Sequence, residues 1–246
     1  MEHRKSQLTL KRAREDIAPV VRPLWRRLWR SLCVQGEHWS EFVDAVAAAT
    51  PAGATIVDAG AGECQWRSFF PQRRYIGIDT GCGEAKWGYR NLAAVADVAN
   101  IPLRDGSVDT YLSVQVLEHV RAPLTVVLEA ARVLRPGGFF FAATSFVWPE
   151  HQQPHDFFRF TRYGVRHLLA EAGLVEQFLW PMGGPFSVLL QVAQSASLTL
   201  PCGRAIYNAF RLFDPAIRPL VWLLDRSNRA RSISHGWFVG ARKVAT

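Results

Sequence analysis

Short apolar runs that alternate with longer amphipathic stretches constrain the fold of this 246-residue chain more than any other feature. Between about residues 55 and 180 the short runs are typical of buried parallel strands, and the stretches with 3.6-residue periodicity are typical of helices. We predict strands at Thr55–Ala59, Tyr75–Asp79, Ala93–Asp97, Thr110–Val114, Gly138–Thr144 and Leu174–Trp180. The alternation predicts a doubly wound α/β sheet that binds its ligands at the carboxyl ends of the strands.

Proline, glycine and threonine mark the ends of the predicted helices. Pro123 favours a helix start, and the segment Arg135-Pro136-Gly137-Gly138 indicates a helix stop followed by a tight turn. Thr161 suits an N-cap and Gly173 a C-cap. The predicted helices are Gln65–Phe70, Pro123–Leu134 and Thr161–Ala172.

The two ends of the chain differ from this central pattern. Leucine and tryptophan form one helical stripe in Val20–Leu32, with arginines around it. Residues 185–232 predict two or three apolar helices separated by Pro201, Pro215 and Pro219, and Ser234–Val244 alternates like a returning strand. We therefore expect a basic helical cap at 1–50, a core at 51–182, and helical additions with a returning strand of the same domain at 183–246.

The net charge of +8 lies on the flanks of the chain. Residues 1–30 carry nine basic and three acidic side chains, and residues 200–246 carry eight and two. The middle carries twelve and sixteen, so the charge distribution does not favour a basic nucleic-acid groove along the whole fold. The four cysteines show no CxxC pair, and neither a signal peptide nor a membrane span is visible, so we expect a cytoplasmic protein.

A glycine turn after the first strand is the strongest chemical signal. The strand Ile56-Val57-Asp58-Ala59 ends beside an acid and continues into Gly60-Ala61-Gly62, where backbone can approach a ligand closely. Asp79, twenty-one residues past Asp58, ends the next strand, where a carboxylate can accept hydrogen bonds from ribose hydroxyls. A third acid, Asp97, can accept a hydrogen bond from an adenine amino group.

Two nucleotide cofactors compete for this pattern. A dinucleotide fold requires a third glycine where this chain has Gln65, because backbone there must approach a pyrophosphate. S-adenosylmethionine has no pyrophosphate and tolerates a side chain at that position. A plain strand–turn–helix with incidental glycines is the third possibility.

Four further segments follow the glycine turn in order. They are Val95-Ala96-Asp97-Val98, Asp105-Gly106-Ser107-Val108-Asp109, Val114-Gln115-Val116-Leu117-Glu118-His119-Val120 and Arg132-Val133-Leu134-Arg135-Pro136-Gly137-Gly138. In order and spacing the chain resembles the class I S-adenosylmethionine-dependent methyltransferases, specifically the methyltransferase type 11-like group, over roughly residues 53–181. That group shows D-x-G-x-G-x-G, an acid ending the second strand, D-G-S-F-D, V-L-E-H-V and R-V-L-K-P-G-G.

The resemblance implies a seven-stranded Rossmann-like methyltransferase sheet and S-adenosyl-L-methionine as cofactor. It implies cofactor contacts from Asp58, Gly60, Gly62, Asp79, Thr80, Asp97, Val98 and Gln115. One departure is Cys64, which occupies the family's third glycine and either faces the methionine end of the cofactor or packs under the loop. An alternative is therefore a methyltransferase-like binding or regulatory protein with an impaired cofactor site.

A segment rich in ionisable residues follows the fifth predicted strand. Residues 149–161 resemble the H-x-x-P-x-D-[YF]-x-R-[YF]-T segment of a subset of the family, which by analogy covers the substrate side of the cofactor. Asp156 and Arg159 suit either acid–base chemistry or a structural pair that fixes the loop. As general base we rank His119 first, His155 oriented by Asp156 second, and His151 third. We expect His38, His167 and His235 to be surface or packing residues.

These observations predict a methyltransferase that acts on an oxygen, or on a nitrogen, of a small-molecule, glycan or lipid-linked acceptor. Such a transfer needs no metal, and no metal-ligand spacing is visible. The basic and apolar flanks either form a lid or rest on an anionic membrane at the inner face. A nucleic-acid partner is not favoured, although an RNA methyltransferase that uses the basic flanks is a further alternative, and the sequence does not indicate an oligomeric state.

Overall fold

One seven-stranded sheet organises the computed structural model, which describes residues 38–83, 88–227 and 232–244. The strands are β1 (Thr55–Ala59), β2 (Arg74–Asp79), β3 (Ala94–Val95), β4 (Val108–Val114), β5 (Leu134–Ser145), β6 (Leu174–Met182) and β7 (Gly236–Lys243). Their order is β3-β2-β1-β4-β5-β7-β6, and β7 is antiparallel to both of its neighbours. The predicted α/β class and Rossmann-like methyltransferase sheet are confirmed.

Within the described residues, five helices accompany the sheet. They are α1 (His38–Ala49), α2 (Pro123–Val133), α3 (Arg162–Glu171), α4 (Pro185–Ser197) and α5 (Gly203–Ser227), with short 3-10 helices at Gln65–Phe69 and Leu117–His119. Pro123 begins α2 as predicted. The Thr161 hydroxyl accepts a hydrogen bond from the Gly164 amide at 3.1 Å and caps α3, and Gly173 follows that helix with a φ of 66°.

The sheet is covered on both faces. One buried cluster joins β1, β4 and β5 to α2 and α3. The other joins the opposite face to α1, where Phe42 stacks on Phe238 of β7 with 4.7 Å between ring centroids. Parallel strands buried on both faces explain the continuous apolar runs of the central sequence.

Ion pairs link the motif segments at the end of the strands opposite the glycine turn. The Asp109 carboxylate accepts from the Thr55 amide at 2.7 Å and pairs with Arg135 at 2.6 Å. Arg132 pairs with Glu129 at 2.7 Å and also with Asp105. Two of the family motifs therefore hold strand ends together.

Several element boundaries differ from the sequence predictions. The predicted third strand shortens to two residues because it is the edge strand, with a partner on one side only. The predicted helix at 65–70 is a 3-10 helix that follows Cys64 in the left-handed region. The predicted turn at Arg135–Gly138 lies inside β5, whose pairing with β4 is irregular between Val108 and Thr110.

The prediction that Pro215 and Pro219 separate helices is wrong. Both lie inside the 25-residue helix α5, and both are exposed. Four residues apart, they occupy one face of the helix. On an exposed face water can satisfy the carbonyl groups that lose helical partners, so each proline costs less there than it would inside the core.

The predicted stripe at Val20–Leu32 lies outside the described residues. After α4 and α5 the chain returns as β7 between β5 and β6, so the segment beyond 183 supplies an internal strand of the sheet. Among the described helices, none combines the length and the apolar character needed to cross a membrane.

Candidate active site

The glycine turn joins the ends of β1 and β2. Gly60 has a φ of 80°, and a Cβ built there would lie 2.3 Å from a methyl carbon of Val116. Gly62 also has positive φ, and its amide donates to one oxygen of Asp79 at 2.9 Å. The other Asp79 oxygen accepts from the Gly81 amide at 2.9 Å. Two backbone donors therefore fix the Asp79 carboxylate at the mouth of the turn, and its remaining lone pairs are available to a ligand.

Cys64 packs under this turn. Its side chain is buried, and its thiol donates to the backbone oxygen of Asn91 at 3.3 Å. A Cβ at Gly77 would lie 2.4 Å from the Cys64 sulfur, so a glycine in β2 provides the space that the thiol occupies. Of the two orientations predicted for Cys64, the structure has the one beneath the loop.

Asp58 lies fully buried at the end of β1. Its carboxylate accepts a hydrogen bond from the hydroxyl of Tyr75, which the sequence analysis did not identify. Burial raises the pKa of Asp58 to about 7, and the Tyr75 hydroxyl partly opposes this rise because it stabilises the ionised form. The carboxyl group of the family motif is therefore protonated or ionised according to pH near neutrality.

The other predicted cofactor residues lie around the same edge. Thr80 and Asp97 are exposed, and Val98 is buried. An Asp97 oxygen accepts from the Ala99 amide at 2.8 Å. Gln115 follows β4 with a φ of 56°, and its buried Nε2 has no hydrogen-bond partner among the described residues. A buried donor without a partner at this edge fits a site that a polar ligand completes.

Three side chains form a compact group beside Gln115, which we call the 118/119/151 cluster. It consists of Glu118, His119 and His151. The Glu118 carboxylate is fully buried and accepts hydrogen bonds from Thr144 at 3.1 Å and Ser145 at 2.8 Å. Burial raises the pKa of Glu118. The rings of the two histidines meet edge to face, with 4.6 Å between their centroids.

Hydrogen bonds to backbone determine which imidazole nitrogen carries the proton. His119 Nδ1 lies 2.6 Å from the carbonyl oxygen of His155, and His151 Nδ1 lies 3.1 Å from that of Pro149. A carbonyl oxygen only accepts, so both Nδ1 atoms donate and the lone pair of each neutral ring is on Nε2. Burial lowers the pKa of His119, which favours the neutral ring.

Asp156 orients this group. It accepts two hydrogen bonds of 2.6 Å from Arg159 and one of 2.9 Å from the His151 amide. Its oxygens lie 3.8 Å from Nδ1 of His119 and 3.6 Å from Nδ1 of His151. The Arg159 guanidinium holds the pKa of Asp156 at about 2. The pair thus fixes the loop, as one interpretation of the sequence held, and also faces both rings.

The structure brings only some of the candidate bases together. His119, His151 and Asp156 converge, whereas the exposed His155 packs against Phe157 with 6.3 Å between ring centroids. His155 contributes its backbone carbonyl to His119 instead. His167 is exposed and His235 is buried against Trp148, as expected of surface and packing residues.

Sequence reasoning missed Glu118 as a site residue, although it stands in the V-L-E-H-V segment. Its acidic character beside an apolar strand was the available signal, because acids are rarely buried without a partner. Thr144 and Ser145, which hold it, lie at the end of β5 and carry no pattern of their own.

The glycine turn, the three acids at successive strand ends and the sheet order define a class I methyltransferase architecture. Residues 57–142 match the family model described as "Methyltransferase domain". Over these residues the chain is similar to that family, and the resemblance to S-adenosylmethionine-dependent methyltransferases is confirmed.

Curated relatives match part of the chain. An uncharacterised methyltransferase of Mycobacterium sp. strain KMS is 36% identical over 132 residues, which covers 50% of this chain and 44% of the relative. A probable S-adenosylmethionine-dependent methyltransferase of Mycolicibacterium smegmatis is 34% identical over 99 residues, 38% of each chain. The chain thus spans less than half the length of these two relatives.

Solved structures share the fold at low identity. A geranyl diphosphate methyltransferase in complex with S-adenosylmethionine aligns with a TM-score of 0.55 and 19% identity over 84% of each chain. The [4+2]-cyclase SpnF aligns with a TM-score of 0.53 and 16% identity over 94% of this chain and 95% of that one. The second neighbour bears the name of a different reaction, so the fold alone does not specify the chemistry.

Replacing Tyr75 with phenylalanine tests the contact beneath the turn. Tyr75→Phe leaves the buried Asp58 carboxylate without its donor, and we expect it to lower the free energy of unfolding by about 1–3 kcal/mol at pH 8. The loss is smaller at pH 5. Since the folded pKa of Asp58 exceeds its ordinary value of 3.8, its contribution to stability is full below about pH 4 and is lost as pH rises through 7. Urea unfolding at both pH values measures the difference.

Tyr111 provides the matched control. Its hydroxyl is also buried but has no hydrogen-bond partner among the described residues. Tyr111→Phe therefore removes an unsatisfied group, and we expect neutral or increased stability at both pH values. Equal losses in the two variants would contradict a specific role for the Tyr75 hydroxyl.

Proposed function

We propose that this chain is an S-adenosylmethionine-dependent methyltransferase that acts on a hydroxyl oxygen of a small-molecule, glycan or lipid-linked acceptor. The observation that carries the proposal is the carboxyl edge of the sheet. There the Gly62 amide meets Asp79 at 2.9 Å, and the 118/119/151 cluster lies across the neighbouring strand ends. One half of this edge suits a nucleoside, and the other half suits proton transfer.

The glycine turn and its neighbours hold the cofactor in this proposal. When bound, S-adenosylmethionine supplies an electrophilic methyl group. Asp79 accepts hydrogen bonds from the ribose hydroxyls, Asp97 and Val98 hold the adenine, and Gln115 offers its unpaired amide. The backbone of Gly60 and Gly62 permits close approach. Thr80 and Asp58 complete the predicted contacts, Asp58 from beneath the turn.

His119 is the proposed proton acceptor on the opposite side. A hydroxyl group becomes a good nucleophile when a base takes its proton, and His119 offers an Nε2 lone pair in a neutral ring. His151 stands edge to face with it, and Asp156 lies within 3.8 Å of both Nδ1 atoms. His155 remains a weaker candidate because its ring is exposed. Beyond this proton step, catalysis is alignment of the nucleophile with the methyl carbon and the sulfur.

Aromatic side chains support an organic acceptor. Trp148, Phe157 and Phe158 remain between 36% and 39% exposed in the loop that carries His151 and Asp156. Exposed aromatic rings suit the apolar body of a small or lipid-linked molecule. A screen with methyl-labelled S-adenosylmethionine against hydroxylated small molecules, lipid-linked glycans, geranyl diphosphate and total RNA tests the class. Label in RNA alone would favour the RNA methyltransferase alternative.

The alternative of a protein that binds without transferring depends on an impaired cofactor site. Cys64 was the reason to consider it, and its thiol is accommodated beneath the turn by Gly77. One structural neighbour is named a cyclase, so a protein with this fold need not transfer a methyl group. Cofactor binding without label in any acceptor would favour it.

Loss of the Asp79 carboxylate tests the cofactor half of the site. Asp79→Ala removes charge-assisted hydrogen bonds, and we expect S-adenosylmethionine affinity to fall by about tenfold to a hundredfold, or 1.5–3 kcal/mol. Calorimetric titration measures it. Asp44→Ala, an exposed acid on α1, is the control and should keep wild-type affinity. Unchanged affinity in Asp79→Ala would remove the ribose assignment.

The histidine variants test the acceptor half. Single-turnover methyl transfer should slow by about 10²–10⁴ in His119→Ala, with cofactor affinity retained. His151→Ala and His155→Ala rank the remaining candidates, and His167→Ala on α3 is the exposed control. If all three candidates keep near wild-type rates, no histidine is the base and alignment of an already unprotonated acceptor suffices.

Peripheral contact with the inner face of a membrane is proposed through α4, α5 and the basic flanks. Leu189, Leu212 and Phe213 are 65%, 75% and 60% exposed, and Arg204 and Arg211 lie exposed on α5. Apolar and basic side chains on one helix pair suit an anionic lipid surface, whereas packing as a lid is the competing interpretation.

Sedimentation with anionic liposomes tests this contact. We expect binding at low salt that weakens at high salt, and about tenfold weaker partitioning for Leu212→Asp because burial of a leucine contributes about 1.5 kcal/mol or more. Leu128→Asp on α2, 46% exposed, is the matched control. Absence of binding at low salt would leave the lid interpretation.

A further inference from the structure

The 118/119/151 cluster has the composition of a metal site. Glu118, His119 and His151 each offer one ligand atom, and these atoms all lie within 4.8 Å of one another. Two imidazoles and one carboxylate are a donor set that zinc and other divalent transition metals accept. Glu118 and His119 are adjacent in sequence, whereas His151 lies in the loop after β5. This spacing explains why the sequence shows no metal-ligand pattern.

The Nδ1 nitrogen of each imidazole is held by a backbone carbonyl group. Both Nδ1 atoms donate to backbone carbonyls, at 2.6 Å for His119 and 3.1 Å for His151, so the lone pairs are on Nε2. Histidines that bind metals are usually held in this way by their second nitrogen. The Asp156 carboxylate, within 3.8 Å of both Nδ1 atoms, supplies the negative charge that such imidazoles commonly face.

An unsatisfied atom points independently to a ligand. The His119 side chain is only 10% exposed, and its Nε2 has no hydrogen-bond partner among the described residues. A buried acceptor without a partner costs free energy that a bound ligand recovers. Within residues 38–83, 88–227 and 232–244, the fully buried Glu118 carboxylate forms no ion pair with a lysine or arginine, and Arg159, which interacts with it electrostatically, is paired with Asp156. A cation bound by the cluster would add positive charge beside this carboxylate.

We propose that Glu118, His119 and His151 bind a divalent transition metal of the zinc class. The inference rests on the proposed function in one respect. A nitrogen lone pair that holds a metal cannot take the acceptor proton, so metal and proton compete for His119. The metal-loaded protein is therefore expected to transfer methyl groups more slowly, and a chelator is expected to restore the rate.

The test measures metal binding directly on the full chain. Protein stripped with a chelator is titrated with Co²⁺, whose visible absorption reports coordination by protein ligands, and Zn²⁺ is then added to displace it. We expect one Co²⁺ per chain. His151→Ala should bind at least about tenfold more weakly, since even residues that only support metal ligands change affinity by that much. Glu118→Gln should weaken binding as well.

Control variants test whether other histidine or cysteine side chains on the surface bind the metal. His167 is an exposed histidine on α3, and Cys82 and Cys202 are exposed thiols. His167→Ala and the double variant Cys82→Ser/Cys202→Ser should keep wild-type Co²⁺ affinity. Because Glu118 is buried, Glu118→Gln can unfold the protein. His151 lies in a loop and is only partly buried, so His151→Ala remains diagnostic, with thermal unfolding as the check.

The same samples separate this inference from the proposed function. Titration with S-adenosylmethionine reports the cofactor half of the site, and its failure in the wild-type protein would overturn the proposed function alone. Co²⁺ affinity that is equal in the wild-type protein, His151→Ala and Glu118→Gln would overturn the metal site alone. Saturable binding lost in both variants and retained in the controls supports it.

Discussion

The buried Glu118 carboxylate, with its hydrogen bonds, is the interaction on which the 118/119/151 cluster depends. Its side chain accepts from Thr144 and Ser145 at the end of β5, and its backbone oxygen accepts from the amides of Phe157 and Phe158 at 2.9 and 3.2 Å. Glu118, which follows β4, therefore joins the end of β5 to the loop that follows β5. Burying a carboxylate is costly, and several hydrogen bonds are the usual means of offsetting that cost. Without the Glu118 carboxylate, Thr144 and Ser145 would lose the acceptor that they share.

Hydrogen bonds within the loop also fix its conformation. Together with the contacts from Glu118, they explain how His119 and His151, which are far apart in sequence, come to lie side by side. The bidentate pair of Asp156 with Arg159 is the kind of ion pair that adds geometric specificity as well as energy. Because Asp156 also accepts from the His151 amide, it fixes the loop that carries that ring. His119 receives its orientation from the carbonyl of His155 in the same loop. Glu118 thus positions the loop, and the loop positions both imidazoles.

Much of the sheet was predictable, because strands buried on both faces must be apolar and must end where polar residues begin. The bounds of β1 agree with prediction to the residue, and those of β2 within one. The length of the edge strand β3 was not predictable, because an edge strand is less buried than a central one and pairs with only one neighbouring strand. Pro215 and Pro219 led to a wrong prediction because a proline indicates only that one residue lacks a backbone hydrogen-bond donor. Whether α5 continues through that residue also depends on which face of the helix is exposed.

For the site, the position of His119, His151 and Asp156 after strand ends was predictable from the sequence. The orientation of their side chains, which separates them from His155, was not. Adjacent residues commonly point apart, and only the fold determines which ring turns inward.

The same distinction between position and orientation limits what a shared fold implies about activity. The doubly wound topology brings the carboxyl ends of successive strands to one edge of the sheet, where this sequence places Asp58, Asp79 and Asp97. The part of this edge that carries the 118/119/151 cluster is not fixed by the topology in the same way, because it is assembled from loops and from side chains such as Ser145. The Ser145 hydroxyl has a single hydrogen and lies within reach of both Gln115 at 2.9 Å and Glu118 at 2.8 Å, so it connects Gln115 to the 118/119/151 cluster. When that hydrogen is donated to Glu118, the Gln115 carbonyl oxygen is left for another donor. The protonation or ligation of Glu118 therefore changes which hydrogen bonds the Gln115 carbonyl oxygen can accept, and the two side chains are chemically coupled through one hydroxyl.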